Sequence, residues 1–179
     1  MHKQKAITLI ELIVALSVLA ILTTIASPGL TSLFQRIRMD NDVNKLMHSF
    51  HRARQNALVT GVATALCPSG DGMQCDDSRN WAAGWVVFAN TDGDEPPAID
   101  PGEPILKRGG PSRNLRIQTN RRAYILRPFG LRSTNGTLTW CDGRGASDAR
   151  ALIISYTGKP RMSDTTASGQ PLDCSTAMP

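Results

Sequence analysis

Apolar positions divide the chain into one unbroken stretch, one periodic stretch and a series of short runs. Residues 6–26, AITLIELIVALSVLAILTTIA, carry a single charge, Glu11. As a helix, residues 7–27 would extend about 31 Å, close to the thickness of a hydrocarbon core. Beyond Pro28 the apolar residues become periodic. Leu30, Leu33, Phe34, Ile37, Val43, Leu46, Met47, Phe50, Ala53 and Ala57 recur at spacings of three and four, with Arg36, Arg38, Asp40, Asp42 and Arg52 among them. This pattern predicts that the helix continues over 28–58, offers one face to a domain and stops at Gly61. Short β-branched and aromatic runs follow at 62–67, 84–89 (GWVVFA, the clearest), 104–107, 115–118, 123–127, 136–141 and 151–156. Gly, Asp, Asn, Ser and Pro separate them, as expected of strands joined by turns. The expected fold class is α+β, a long N-terminal helix packed on antiparallel β-sheet structure. The β-rich globular domain occupies 59–179, and its tail beyond Arg161 is irregular.

The charge inside the apolar stretch changes its meaning. A secretory signal would share the basic start (Lys3, Lys5) but has no use for an acid in its core. In lipid a carboxylate at mid-helix costs about 2.5–3.5 kcal/mol, so Glu11 calls for a partner. The segment KQKAITLIEL, the apolar helix and Pro28 resemble the class III signal of type IV pilins and type II secretion pseudopilins. The resemblance implies a leader over residues 1–6, cut by a prepilin peptidase between Ala6 and Ile7, and methylation of the new N-terminus. It implies that Glu11 pairs with the terminal amine of a neighbouring pilin subunit, and that Pro28 bends the helix. Ala6 and Ile7 depart from the usual Gly and Phe, each by a residue of similar character. Residues 7–27 would cross the inner membrane once, with the domain in the periplasm, before entering a pilus.

Placed there, the four cysteines can form disulfides. Three connectivities are possible. The preferred one is Cys67–Cys75, closing a short Gly/Pro loop, with Cys141–Cys174 tying a strand end to the tail. No C-x-x-C occurs and His2, His48 and His51 are remote in sequence from the cysteines, so no metal or cofactor is expected.

The net charge of +5 hides an asymmetry. Residues 71–103 carry eight acids against Arg79, a net −7, whereas residues 107–161 carry twelve bases against Asp142 and Asp148, a net +10. Ten of those twelve are arginine, which suits bidentate phosphate contact. Such a distribution fits either a basic face with an anionic partner or charges that balance across the fold.

HRARQNALVTGVATALCP, WAAGWVVFANTDGD, EPIL and LIISYTGKPRM, in that order, resemble the FimT/GspH group of minor pilins and pseudopilins. In FimT-type pilins of transformable bacteria, a Gly-Arg-x-Arg element at the position of Gly158-Lys159-Pro160-Arg161 is implicated in DNA binding. Lys159 keeps the charge of the first arginine and loses its fork. Gly158 would permit a tight turn and Pro160 would stiffen it. Arg144, Arg150, Arg121 and Arg122 are expected to widen the patch. The expected function is a minor pilin that binds DNA non-specifically for uptake. A purely structural minor pilin, a type II secretion pseudopilin and a tip adhesin are the alternatives.

Other chemistry finds less support. The run Asn90–Glu95 suggests calcium, but Pro96 and Pro97 break the twelve-residue loop pattern and no glutamate closes it. Trp81, Trp85, Phe88 and Trp140 read as core rather than as base-stacking platforms, with Trp81 the most open. No catalytic motif or triad partner is present beyond His48 and His51 on the helix, so no enzymatic activity is expected.

Overall fold

The computed structural model describes residues 8–175, without the side chains of residues 25–28. The cleavage expected between Ala6 and Ile7, and the bend expected from Pro28, therefore lie outside the described residues. Helix α1 (Leu9–Thr60) opens with the Thr8 hydroxyl accepting the Glu11 N–H at 3.4 Å. Along its apolar part the Ser17, Thr23 and Thr24 hydroxyls donate to carbonyls three or four residues back, which leaves no unmet polar group on those side chains. Among the described residues no single helix is long and apolar enough to cross a membrane; Leu9–Thr24 and Gly29–Thr60 have the length and composition only when taken together. At the other end the Gly61 N–H still bonds the Ala57 carbonyl, and the chain then leaves the helix.

Among the described residues the chain forms two compact units, divided within α1 between Ile37 and Arg38. In the first, Leu9, Ile10, Leu30, Leu33, Phe34 and Ile37 are all exposed. The periodic face read from sequence thus packs on the domain only in its later half. There Met39, Val43, Leu46, Phe50, Ala53 and Ala57, spaced 4-3-4-3-4, are buried.

The second unit adds two antiparallel four-stranded sheets. The first runs in the order β3 (Ile105–Gly109), β2 (Trp85–Ala89), β1 (Thr64–Pro68), β5 (Tyr124–Leu126). The second runs β4 (Arg116–Thr119), β6 (Gly136–Cys141), β7 (Arg150–Ile154), β8 (Pro160–Ser163). Alternate residues of both sheets face α1. Leu66, Trp85, Val87, Tyr124 and Leu126 from one sheet, and Ile117, Leu138, Trp140, Leu152 and Ile154 from the other, join the helix residues in one core. The reverse face of the first sheet is buried as well, with Ala65, Cys67, Val86, Phe88 and Ile125 clustered beneath Cys75 and Ile99. That double burial explains why β2 reads as an unbroken apolar run rather than an alternation.

Trp81 corrects the sequence reading. It lies in a 3₁₀ turn, Trp81–Ala83, is fully buried and packs edge-on against Tyr124 at 5.6 Å. Trp85, Phe88 and Trp140 are buried as expected. The indole N–H of Trp140 donates to Asp42 Oδ2 at 2.8 Å, and the same oxygen accepts the Ser112 hydroxyl at 2.6 Å, pegging α1 to the second sheet. Both expected disulfides, Cys67–Cys75 and Cys141–Cys174, are formed. The second ties the tail to β6, and Leu172 and Cys174 cover the outer face of the second sheet.

Candidate nucleic-acid interface

The β7–β8 hairpin places Gly158, Lys159 and Arg161. Its register pairs Ile154 with Pro160 and Ile153 with Arg161. Pro160 is tolerated because β8 is an edge strand and needs no N–H on its outer side. The connecting turn is fixed from several directions. Ser155 exchanges backbone hydrogen bonds with Lys159 and Gly158, and its hydroxyl accepts the Lys159 N–H at 3.2 Å. Arg54 Nε of α1 donates to the Thr157 carbonyl at 2.9 Å, and the Ser133 N–H donates to the Tyr156 carbonyl at 2.9 Å. Gly158, at φ +71, sits buried against Leu126 and Ser133. The two cations are thus presented by a braced turn. Both are exposed, and among the described residues neither side chain joins an ion pair.

The remaining expected patch residues separate. Arg121 is exposed, and its Nε donates to the Asn135 carbonyl at 3.0 Å. Asn135 precedes Gly136, which pairs with Ile154, so Arg121 lies at the same end of the second sheet as the turn. Arg122, though adjacent, pairs with Asp77 at 2.5 Å. Arg150 begins β7, about 13 Å along the strand from Ile154, and faces Asp40 of α1 at 3.6 Å. Arg144 is held by Asp142 at 2.8 Å and Asp148 at 3.3 Å with a side chain only 13% exposed. Partial burial opposes the charge of Asp142, but hydrogen bonds and charge from Arg144 outweigh it and hold that carboxyl below its usual range. Hydrogen bonding to Asp142 likewise holds Arg144 protonated. Arg144 and Arg150 are structural ties at the far end of the sheet and do not widen the patch. Closeness in sequence misleads here, because the strand between them and the turn carries them apart.

Residues that the sequence did not single out take their place. The β5–β6 connection, RPFGLRS, projects Phe129, which is 95% exposed. The Arg132 guanidinium lies 4.2 Å over the Tyr156 ring. Arg127 pairs with Glu95 and donates to the Arg132 carbonyl. Together with Arg54 and Leu58 of α1 and Leu131, these residues line an open groove of about 400 Å³ beside the hairpin turn. The Pro/Phe/Gly content of the connection marks a turn in sequence, but only the fold brings it against Tyr156.

The opposite charge balance is partly internal. Asp77 and Glu95 of the acidic stretch neutralise Arg122 and Arg127 of the basic one. The loop after β2 brings Asp92, Asp94 and Asp100 together, their carboxylate oxygens within 4.8 Å of one another. Desolvation, with repulsion from Asp92, Asp94 and Glu103, raises the Asp100 carboxyl above its ordinary value. His48 and His51 are exposed on α1.

Comparison with known proteins places this architecture. Among solved structures, the type IV minor pilin FimU of Pseudomonas aeruginosa (strain PAO1) superimposes with a TM-score of 0.53 at 17% identity, over 76% of this chain and 99% of that one. A second crystal form of FimU gives 0.53 at 19% identity, over 78% and 97%. The minor pseudopilin EpsH of the Vibrio cholerae type 2 secretion system gives 0.48 at 9% identity, over 70% and 96%. No curated protein matches the sequence. Residues 1–27 match the prokaryotic N-terminal methylation motif, and residues 42–158 match the family described as type II transport protein GspH. The chain belongs to the GspH family and carries the prokaryotic N-terminal methylation motif, on a fold similar to that of type IV pilins.

Proposed function

We propose that this subunit is held in the inner membrane by its N-terminal helix, is processed by a prepilin peptidase before Ile7, enters a pilus, and there binds DNA without sequence preference to support DNA uptake. The observation that carries the DNA reading is the braced hairpin turn that exposes Lys159 and Arg161 outside any described ion pair, with Arg121 at the same end of the sheet. Fixed cations on such a turn contact backbone phosphates without reading bases. The apolar side chains exposed along the first part of α1 support assembly through that helix with other subunits, Glu11 serving as the contact to a neighbour's terminal amine. A subunit with assembly as its sole role, in a pilus or a type II secretion pseudopilus, shares those features and lacks the nucleic-acid contact.

The test uses the full-length protein in neutral detergent micelles. Duplex binding is followed by fluorescence anisotropy across a salt titration, for the wild type and for Lys159→Ala/Arg161→Ala. Loss of two phosphate contacts lowers the log–log salt slope by roughly 1.8, at about 0.9 per contact. Undiminished binding by the double variant refutes the assignment to the turn, and absence of binding at low salt leaves the assembly role alone. Mass spectrometry of the mature chain is expected to find methylated Ile7 at its start; an intact Met1 refutes processing.

A further inference from the structure

The groove beside the hairpin turn combines two properties that duplex DNA cannot use together. Its rim carries flat apolar side chains, Phe129 at 95% and Tyr156 at 53% exposure, with Leu131 at 59%. Its walls carry Arg54, Arg127 and Arg132, and Lys159 follows Tyr156 by three residues. Glu95 offsets Arg127 alone. Keeping a phenylalanine in water forgoes about 1.5–3 kcal/mol of burial, and Phe129 stands at a loop tip where no described side chain covers it.

We propose that this groove takes unpaired nucleotides of single-stranded DNA, whose bases stack on Phe129 and Tyr156 while Arg54, Arg132 and Lys159 meet the flanking phosphates. The inference rests on the nucleic-acid reading of the same pole and narrows its substrate class. Charge complementarity selects the occupant. A ligand for this site must bring anions at regular intervals next to flat apolar faces. A single strand does both, whereas a duplex buries its base faces in the stack and shows only phosphates and groove edges. Arg132 stacked on Tyr156 at 4.2 Å already forms a cation–π surface on which a base plane can lie. A neighbouring protein segment would cover Phe129 equally well, but would leave Arg54, Arg132 and Lys159 facing a surface with no stated reason to be acidic.

The experiment compares two probes on full-length protein in neutral detergent micelles. One is an oligothymidylate of about 20 nucleotides, longer than the roughly 4–16 that one compact module covers; the other is a duplex of equal length. Phe129→Ala and Tyr156→Ala are each expected to weaken oligothymidylate binding about 5- to 150-fold, as loss of one stacked base does. Tyr156→Phe retains the ring and is expected to retain binding. Duplex affinity and its salt slope should stay at wild-type values in all three variants. Because Phe129 is exposed, its replacement should leave the unfolding midpoint unchanged, which separates a binding defect from a folding one. Equal weakening of both probes overturns the inference, as does no weakening of either. A wild type that binds duplex and ignores oligothymidylate also overturns it, while sparing the broader DNA-binding reading; a wild type that binds neither ends both. Loss of Phe129→Ala protein from assembled pili with oligothymidylate affinity intact reassigns the groove to a subunit contact.

Discussion

Gly158 offers a stringent test of how the hairpin turn is held. Its φ of +71 lies in the left-handed region, and a Cβ there would stand 3.1 Å from Leu126 Cδ2 and 3.2 Å from Ser133 Oγ. Two separable costs follow for Gly158→Ala. The backbone conformation costs a non-glycine residue about 1–2 kcal/mol. Crowding against a packed neighbour adds about 1–3 kcal/mol, since Leu126 is in the core and cannot simply swing away. Gly130 isolates the first cost. It has φ +87, and nothing lies within 4 Å of the position its Cβ would take. Gly130→Ala should therefore lose about 1–2 kcal/mol and Gly158→Ala about 2–5 kcal/mol. Denaturant unfolding followed by tryptophan fluorescence provides the readout. Trp81, Trp85 and Trp140 are the only tryptophans and all three lie in the core, so the signal reports the globular domain and not the apolar helix. If the two variants are equally destabilised, the turn is not wedged against Leu126 and Ser133, and the argument that Lys159 is presented by a rigid support fails.

Other perturbations probe the rest of the molecule. Asp42→Ala strands the buried Trp140 N–H and should cost about 1–3 kcal/mol, whereas Asp42→Asn keeps an acceptor oxygen and should cost less; equal losses would show that the hydrogen bond does not matter. Replacing Cys141 and Cys174 by serine should destabilise by about 3.7 kcal/mol and the Cys67/Cys75 pair by about 2.5 kcal/mol, because the released loops differ in length and longer closure removes more unfolded-state entropy; separations of 33 and 8 residues set that order, and the reverse order in urea titrations would contradict it. Asp100 has a folded-state pKa above its ordinary 3.8, so it favours folding below that pH and opposes it as pH rises through the folded value. Asp100→Asn should accordingly unfold later than wild type at pH near 7, with the gap closing below about pH 3.8; a neutral-pH gain of zero would show that the carboxylate cluster carries no repulsion.

Much of this was legible from spacing alone. The 3-4-3-4 recurrence from Val43 onward and the β-branched run of β2 depend on short-range periodicity, and both elements form where that periodicity lies. What failed depends on long-range geometry. Met39 is masked in sequence by its neighbours Arg38 and Asp40, and Leu30 to Ile37 repeat apolar residues that stay exposed. Gly158 and Pro160 are turn residues and hide strand β8 in the sequence; only its place at a sheet edge makes Pro160 acceptable. Trp81 sits among Asn, Ser and Asp, yet a 3₁₀ turn folds it beneath the sheet. Arg144 and Arg150 were grouped with Lys159 by sequence distance, which an antiparallel strand converts into separation. For the same reason Phe129 and Tyr156, twenty-seven positions apart, escaped notice until the fold brought their loops together.

The helix face that closes the core also decides how the subunit bears load. Met39, Val43, Leu46, Phe50, Ala53 and Ala57 are buried along about 27 Å of α1, and the Asp42–Trp140 bond crosses the same seam. Tension drawn along the helix axis must slide all six side chains at once, whereas lifting the helix from its Thr60 end releases them one after another. Optical-trap pulling with one handle before Arg38 and the other in β8 should therefore record a higher rupture force than pulling from Thr60. In the pilus proposed above, a domain hung by its N-terminal helix would be loaded in the first way, in shear, and the spacing of six apolar residues would double as a mechanical joint.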